Sequence, residues 1–274
     1  MYKPIITCCL LFYSTISFAF ERNTLVSDST GLPGDYFNLA GALDLFKNAS
    51  SLEEFEKKLN TEDNYVNNLD LNGDGEVDYI KVNDYMDGNT RAIVIQTPIN
   101  ETESQDIAVI EIEKNGDQSA LIQIVGDEEL YGTEKMVEPS ELTSNTERAK
   151  TVNAPAPRVV INVWAWPSVR YMYAPGYVIY RPAWRWRYYP SYWKPWRPRP
   201  FNVYHHHPRP FRANYHPVYV RRVVNAPVIY RPHRTTSIVV RNRYHVTVHQ
   251  HGNRHHLHHH PNRRDKAGQG RNNH

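Results

Sequence analysis

Asp70-Leu71-Asn72-Gly73-Asp74-Gly75-Glu76-Val77-Asp78 separates two hydrophobic periods in the chain. Before it, apolar residues recur at helical spacing. Phe37, Leu39, Leu43, Leu45 and Phe46 do so first. The capping box Ser51-Leu52-Glu53-Glu54 follows, with Leu52, Phe55 and Leu59 on one face, and together these predict a helix from Ser51 to Leu59 that Asn60 ends. After the loop the period falls to two. Val77 to Tyr85, Arg91 to Thr97, Ile107 to Lys114 and Ala120 to Val125 read as strands. Asp87-Gly88 and Asn115-Gly116 are hairpin dipeptides, because both residue types tolerate positive φ. The expected fold class is α+β: two N-terminal helices followed by a four-stranded, mostly antiparallel sheet. Leu71, Val77, Ile80, Val82, Ile93, Ile95, Val109, Ile112, Leu121, Ile122 and Ile124 are its expected core.

Charge divides the 274 residues into unlike halves. Residues 20–150 hold 10 Lys+Arg against 28 Asp+Glu, a net of −18. Residues 151–274 hold 21 against 1, a net of +20, with all 14 His and all 6 Trp. A cationic half of this strength implies an anionic partner, and the acidic half of the same or a neighbouring molecule is one candidate. Residues 1–19 read as a signal peptide: Lys3, then apolar Pro4 to Phe18, then Ser17-Phe18-Ala19 as a cleavage site. The protein is therefore expected to be exported to the periplasm, cell envelope or medium. Cys8 and Cys9 both fall in that leader, so the mature chain would contain neither disulfides nor thiolate-bound zinc. The expected order is a lead-in at 20–34, an acidic α+β domain at 35–137 and a linker at 138–157. A basic Trp/Tyr/Pro/Arg-rich module at 158–250 and a disordered His-rich tail at 251–274 follow. Proline in runs such as Trp193-Lys194-Pro195-Trp196-Arg197-Pro198 predicts an irregular segment. Alternation over Ile238 to Gln250 predicts a short strand.

The loop carries oxygen donors at the spacing a hard cation needs. Ca²⁺ takes six to eight oxygens, from side chains at loop positions 1, 3, 5 and 9 and a carbonyl at 7, with Gly at 6 for the turn. Those positions hold Asp70, Asn72, Asp74, Asp78, Glu76 and Gly75. An ordinary Asx turn has no need of three acids that repel one another. This pattern resembles the EF-hand calcium loop over these residues. It departs at position 12, where the EF-hand's bidentate Glu is replaced by Lys81, and in having a strand after the loop. The strand-flanked form also resembles the Asp-x-Asn-x-Asp-Gly-x-x-Asp loops of FG-GAP-type repeats, which need no acid at position 12. One loop does not support a propeller. The expected cofactor is one Ca²⁺ on Asp70, Asn72, Asp74, the Glu76 carbonyl and Asp78, completed by water, with affinity of roughly 10⁻⁴–10⁻³ M.

Other features point to contacts. His205-His206-His207 and His255-His256-Leu257-His258-His259-His260 could take Zn²⁺, Ni²⁺ or Cu²⁺ adventitiously. Arg interleaved with Trp and Tyr over residues 158–274 suits anionic envelope polymers, lipopolysaccharide or a membrane surface, with nucleic acid a poorer fit for an exported chain. A polyanion-binding protein in which the loop is incidental is therefore a second reading. Runs such as Trp166-Pro167-Ser168-Val169-Arg170 resemble envelope proteins of Bacteroidetes-type bacteria, a resemblance that implies no activity. Gly-x-Ser-x-Gly, His-Glu-x-x-His, phosphate-cradling and dinucleotide motifs are absent from the sequence, so a non-enzyme is expected.

Overall fold

The computed structural model describes residues 29–140, 161–206 and 214–244. The leader, residues 20–28, residues 141–160 of the linker region, His207 and the tail lie outside the described residues. Helix α1 (Leu39–Lys47) begins where the Asn38 side chain accepts from the Gly41 amide at 2.9 Å. Helix α2 (Leu52–Leu59) begins where Ser51 Oγ accepts from the Glu54 amide at 3.1 Å, the capping expected from its sequence. Phe46 and Phe55 meet edge to face at 5.3 Å and lock the two helices together.

The sheet is antiparallel throughout, in the order β1 (Lys81–Asp87), β2 (Thr90–Pro98), β3 (Ser104–Lys114), β4 (Ala120–Gly126), β5 (Met136–Pro139) and β6 (Tyr215–Val218). The α+β class holds, but the sheet has six strands where four were expected. The extra two are four residues each and contain Pro139 and Pro217, so neither is long enough to show a period. Between β4 and β5 lies a single turn, α3 (Glu128–Tyr131). The strand after the acidic loop starts at Lys81 instead of Val77, because the Val77 amide bonds the Trp196 carbonyl at 2.7 Å instead of a β2 partner.

Strand alternation gives the sheet two unlike faces. Ile80, Val82, Ile93, Ile95, Ile110, Ile112, Ile122 and Ile124 pack on α1 and α2 and on Val169 and Met172 of α4 (Pro167–Met172). The opposite face carries Ala92, Val94 and Val109 beside buried Gln96, Asp106, Glu111, Gln123 and Glu138. Leu121, expected in the core, is half-buried. Helix α6 (Ala226–Tyr230) seats Tyr230 on the second apolar cluster, and the chain on either side of it serves the polar groups. Asp106 accepts from Thr235, Gln123 donates to the Val220 carbonyl, and Glu138 accepts from Arg222.

Opposite charge joins the two halves along this seam. Arg221 pairs with Glu111 and Glu134, Arg234 with Asp127 and Glu128, Arg241 with Glu129, and Arg199 with Glu62. A cavity of about 410 Å³ lies in it, lined by Asp106, Asp127, Glu134, Tyr230, Arg231 and Arg234 among others. Residues 238–244 are helical (α7), which corrects the strand expected over Ile238 to Gln250; residues 245–250 lie outside the described residues. Ser237 explains the difference. Its hydroxyl accepts from the Val240 amide at 3.3 Å and its carbonyl from the Arg241 amide at 3.0 Å, an N-cap that alternation does not reveal. Val240 and Tyr244 then face the core at i, i+4.

Candidate metal loop

The loop spans the gap between the 3-10 turn Glu62–Asn64 and β1. Two buried asparagines set its base. Asn67 Nδ2 donates to the Asp78 carbonyl at 2.8 Å, and its Oδ1 accepts from the Leu69 amide at 3.2 Å. Asn68 exchanges two bonds with the Arg199 backbone, at 2.9 and 2.8 Å. The Asp78 amide closes the base on the Leu69 carbonyl at 2.7 Å.

Inside the loop Asp70 organises the turn. Its Oδ1 accepts from the amides of Gly73 at 2.7 Å and Asp74 at 3.1 Å, and its Oδ2 from Gly75 at 3.0 Å. Gly73 and Gly75 have φ of 74° and 85°, the left-handed region that glycine enters without steric cost. Asn72 Oδ1 accepts from the Asp74 amide, and Asp74 Oδ1 from the Glu76 amide. Asp74 and Glu76 are exposed, while Asp70 and Asn72 are half-buried.

Asp78 differs from the rest of the set. It is 5% exposed, and its Oδ2 accepts from the Leu71 amide at 2.6 Å. Burial, reinforced by the like charges of Asp70 and Asp74, pushes its carboxyl up to about 8. Lys81, at position 12, does not offset those charges. Burial lowers its amine, and the acids that act on it are Glu56 and Asp106. All five sequence-derived positions therefore lie on one compact turn. The carboxylates of Asp70, Asp74 and Asp78 accept from the turn's own amides, and among the described residues no three His, Cys, Asp or Glu side chains converge as a closed cage. The donor set is all oxygen and so fits Ca²⁺; binding would require the Asp74 and Asp78 side chains to turn onto the ion. A groove of about 310 Å³ bordered by Tyr36, Asp70, Arg199 and Tyr244 gives water access to the loop.

The basic half also holds this loop from outside. Arg243 of α7 donates to the Leu71 carbonyl at 2.9 Å and the Asn72 carbonyl at 3.0 Å. A Cβ on Gly73 would collide with that guanidinium. Gly73→Ala should thus cost about 1–2 kcal/mol through positive φ plus displacement of Arg243. In an Arg243→Ala background, urea denaturation should show the smaller cost of φ alone. Equal costs in both backgrounds would contradict the clamp. Sequence reasoning missed Arg243, Asn68 and Arg199, since contacts spanning more than a hundred residues leave no local pattern, and it missed Asn67, whose partners lie two and eleven residues on.

His205 Nε2 lies 2.7 Å from the Asp35 carbonyl, and its ring packs 4.0 Å from Phe201 in α5 (Phe201–His206). The second His tract lies outside the described residues. No protein-family model, curated protein or solved structure matches this chain.

Proposed function

We propose that this is an exported, non-catalytic calcium-binding protein in which one Ca²⁺ rivets the junction between the helices and the sheet. Asp78 carries the reading. A buried carboxylate beside two like charges is unfavourable as an anion unless a cation joins it, and the two left-handed glycines fold the turn around that point. Asp70, Asn72, Asp74, the Glu76 carbonyl and Asp78 would hold the ion, with water completing the shell. The ion would supply fixed positive charge and cross-link the loop's two ends. Export is supported by the leader-like Pro4 to Phe18 and by a remainder free of cysteine. The cavity acids are held by arginine or threonine, as in Asp127 with Arg234 and Asp106 with Thr235, which suits a docking seam better than a catalytic centre.

Thermal melting tests the proposal. With a dissociation constant of roughly 10⁻⁴–10⁻³ M, 10 mM Ca²⁺ should add about 1.4–2.7 kcal/mol, raising Tm by about 3–10 °C. Mg²⁺, which demands tight octahedral geometry, should do much less. Asp74→Ala, which removes the oxygen donor at an exposed position, should abolish the shift with little change of Tm in chelator. A calcium shift that survives in Asp74→Ala would place the ion elsewhere.

A further inference from the structure

The cations of the basic half differ in their partners. Arg199, Arg221, Arg222, Arg231, Arg234 and Arg241 each pair with a carboxylate of the acidic half. Arg185, Arg187, Lys194 and Arg197 are exposed, and among the described residues no carboxylate pairs with them. Acidic residues are absent from the sequence between Thr151 and Asn262, so nothing in that stretch competes for these four cations.

The segment is anchored and shaped. Tyr189 and Trp193 pack on buried Tyr79 at 5.1 and 5.2 Å, and the Trp196 carbonyl accepts from Val77. Arg185 and Tyr188 close a turn by exchanging backbone bonds, at 3.3 and 2.8 Å. Arg187 at its tip has φ of 61°, a strained conformation for a side chain of this size and of the kind that gathers at recognition sites. The Arg185 guanidinium lies over the Tyr188 ring at 4.4 Å, and that of Arg187 over Trp186 at 5.8 Å. Stacking uses the face of each guanidinium and not its in-plane N–H fork, which is the part that matches a carboxylate or sulfate.

We propose that residues 185–197 form a binding surface for an acidic polysaccharide. The ring contacts decide among polyanions. One face each of Trp186 and Tyr188 is already covered by a guanidinium, which weakens base stacking of the kind single-stranded nucleic acid requires. Trp184, Trp186, Trp193 and Trp196 are half-buried in the segment instead of projecting, which leaves little to insert into a bilayer. What projects is charge and the Tyr188 ring, 63% exposed, while the Tyr192 hydroxyl turns inward onto Tyr79 at 3.2 Å; a row of cations with one phenol suits a chain of alternating carboxylate and hydroxyl groups. The Val77–Trp196 bond joins this surface to the metal loop, so binding is compared with the loop held free of calcium.

The test compares the full chain with a variant carrying Arg185→Gln, Arg187→Gly, Lys194→Gln and Arg197→Gln; glycine preserves the turn conformation at position 187. The probes are polygalacturonate, phosphatidylglycerol vesicles and a single-stranded oligonucleotide, each titrated in chelator at low and at raised salt. The proposal predicts that polygalacturonate binds the parent, more weakly as salt rises, and that the variant binds it roughly tenfold or more weakly at low salt. Binding contributed by other basic residues is common to both proteins and cancels. A milder variant, Arg187→Gly with Lys194→Gln, should show an intermediate loss and serves if the fourfold variant fails to fold. Equal affinity in parent and variants would overturn the proposal, as would vesicles or oligonucleotide binding more tightly than polygalacturonate and losing that binding in the variant.

Discussion

Replacing Arg91 with Leu is expected to destabilise the protein by about 3–5 kcal/mol, the usual cost of removing one partner of a buried ion pair. Arg91 is 1% and Asp84 0% exposed. Arg91 Nη1 contacts Asp84 Oδ2 at 2.8 Å, and the other end of the guanidinium donates to the Met172 carbonyl. Its plane is flanked by Tyr177 at 4.5 Å and Tyr173 at 5.0 Å, and the Tyr177 hydroxyl donates to the same Asp84 oxygen at 2.8 Å. Arg91 thus ties β2 to α4 and to the chain that follows it. Leucine would leave the Asp84 carboxylate buried without a cation. Lysine would not restore the arrangement, because it lacks the planar fork and the stacking surface. Tm should fall by about 6–20 °C. Combining Arg91→Leu with Asp84→Asn should recover part of the loss, since it removes the stranded charge. A loss below about 1 kcal/mol in urea denaturation would show that Arg91 does not hold β2 to α4 and the chain that follows it.

The second large effect is a pH dependence opposite to that of ordinary salt-bridged carboxylates. Burial raises Asp78 to about 8 and Glu56, which has no arginine beside it, to about 7. Glu56, 1% exposed, accepts from the Tyr79 hydroxyl at 2.7 Å and the Val82 amide at 2.8 Å. Each of these groups holds its proton more tightly folded than unfolded. Where the folded chain binds more protons, stability falls as pH rises. Their contribution is complete below about pH 4, the ordinary carboxylate range, and is lost as pH climbs through their folded values. In chelator, Tm should therefore fall from pH 5 to pH 8. Calcium reverses part of this loss, because its ligand Asp78 must ionise. The calcium-induced rise in Tm should grow from pH 5 to pH 8, and Asp78→Asn should flatten both trends. Tm in chelator that rises over this interval would contradict the environment described for these acids.

The elements bordering the loop were legible because each rests on local chemistry. The Ser51 cap, the Leu52/Phe55/Leu59 face and the Asp87-Gly88 hairpin act over a few residues, and the structure places them where that chemistry directs. The candidate ligands were legible for the same reason, as consecutive positions of one turn. What escaped depends on distant partners. β6 is short and contains Pro217, so only its pairing with β5 makes it a strand. Residues 238–244 alternate like a strand, yet the Ser237 cap and the burial of Val240 and Tyr244 favour helix. The polar face of the sheet appeared in sequence as Asp106, Glu111, Gln123 and Glu138 scattered among hydrophobic residues. Its meaning came only with the arginines that cover it.

Calorimetric titration of the full chain with Ca²⁺ at pH 7.5, with Asp74→Ala and Asp78→Asn titrated in parallel, is the decisive measurement. The expected result is one site with a dissociation constant of roughly 10⁻⁴–10⁻³ M, proton release on binding as Asp78 ionises, no binding by Asp74→Ala and weaker binding without that proton release by Asp78→Asn. An absence of binding heat at millimolar Ca²⁺ in two buffers of different ionisation enthalpy, or the same affinity in all three proteins, would contradict it.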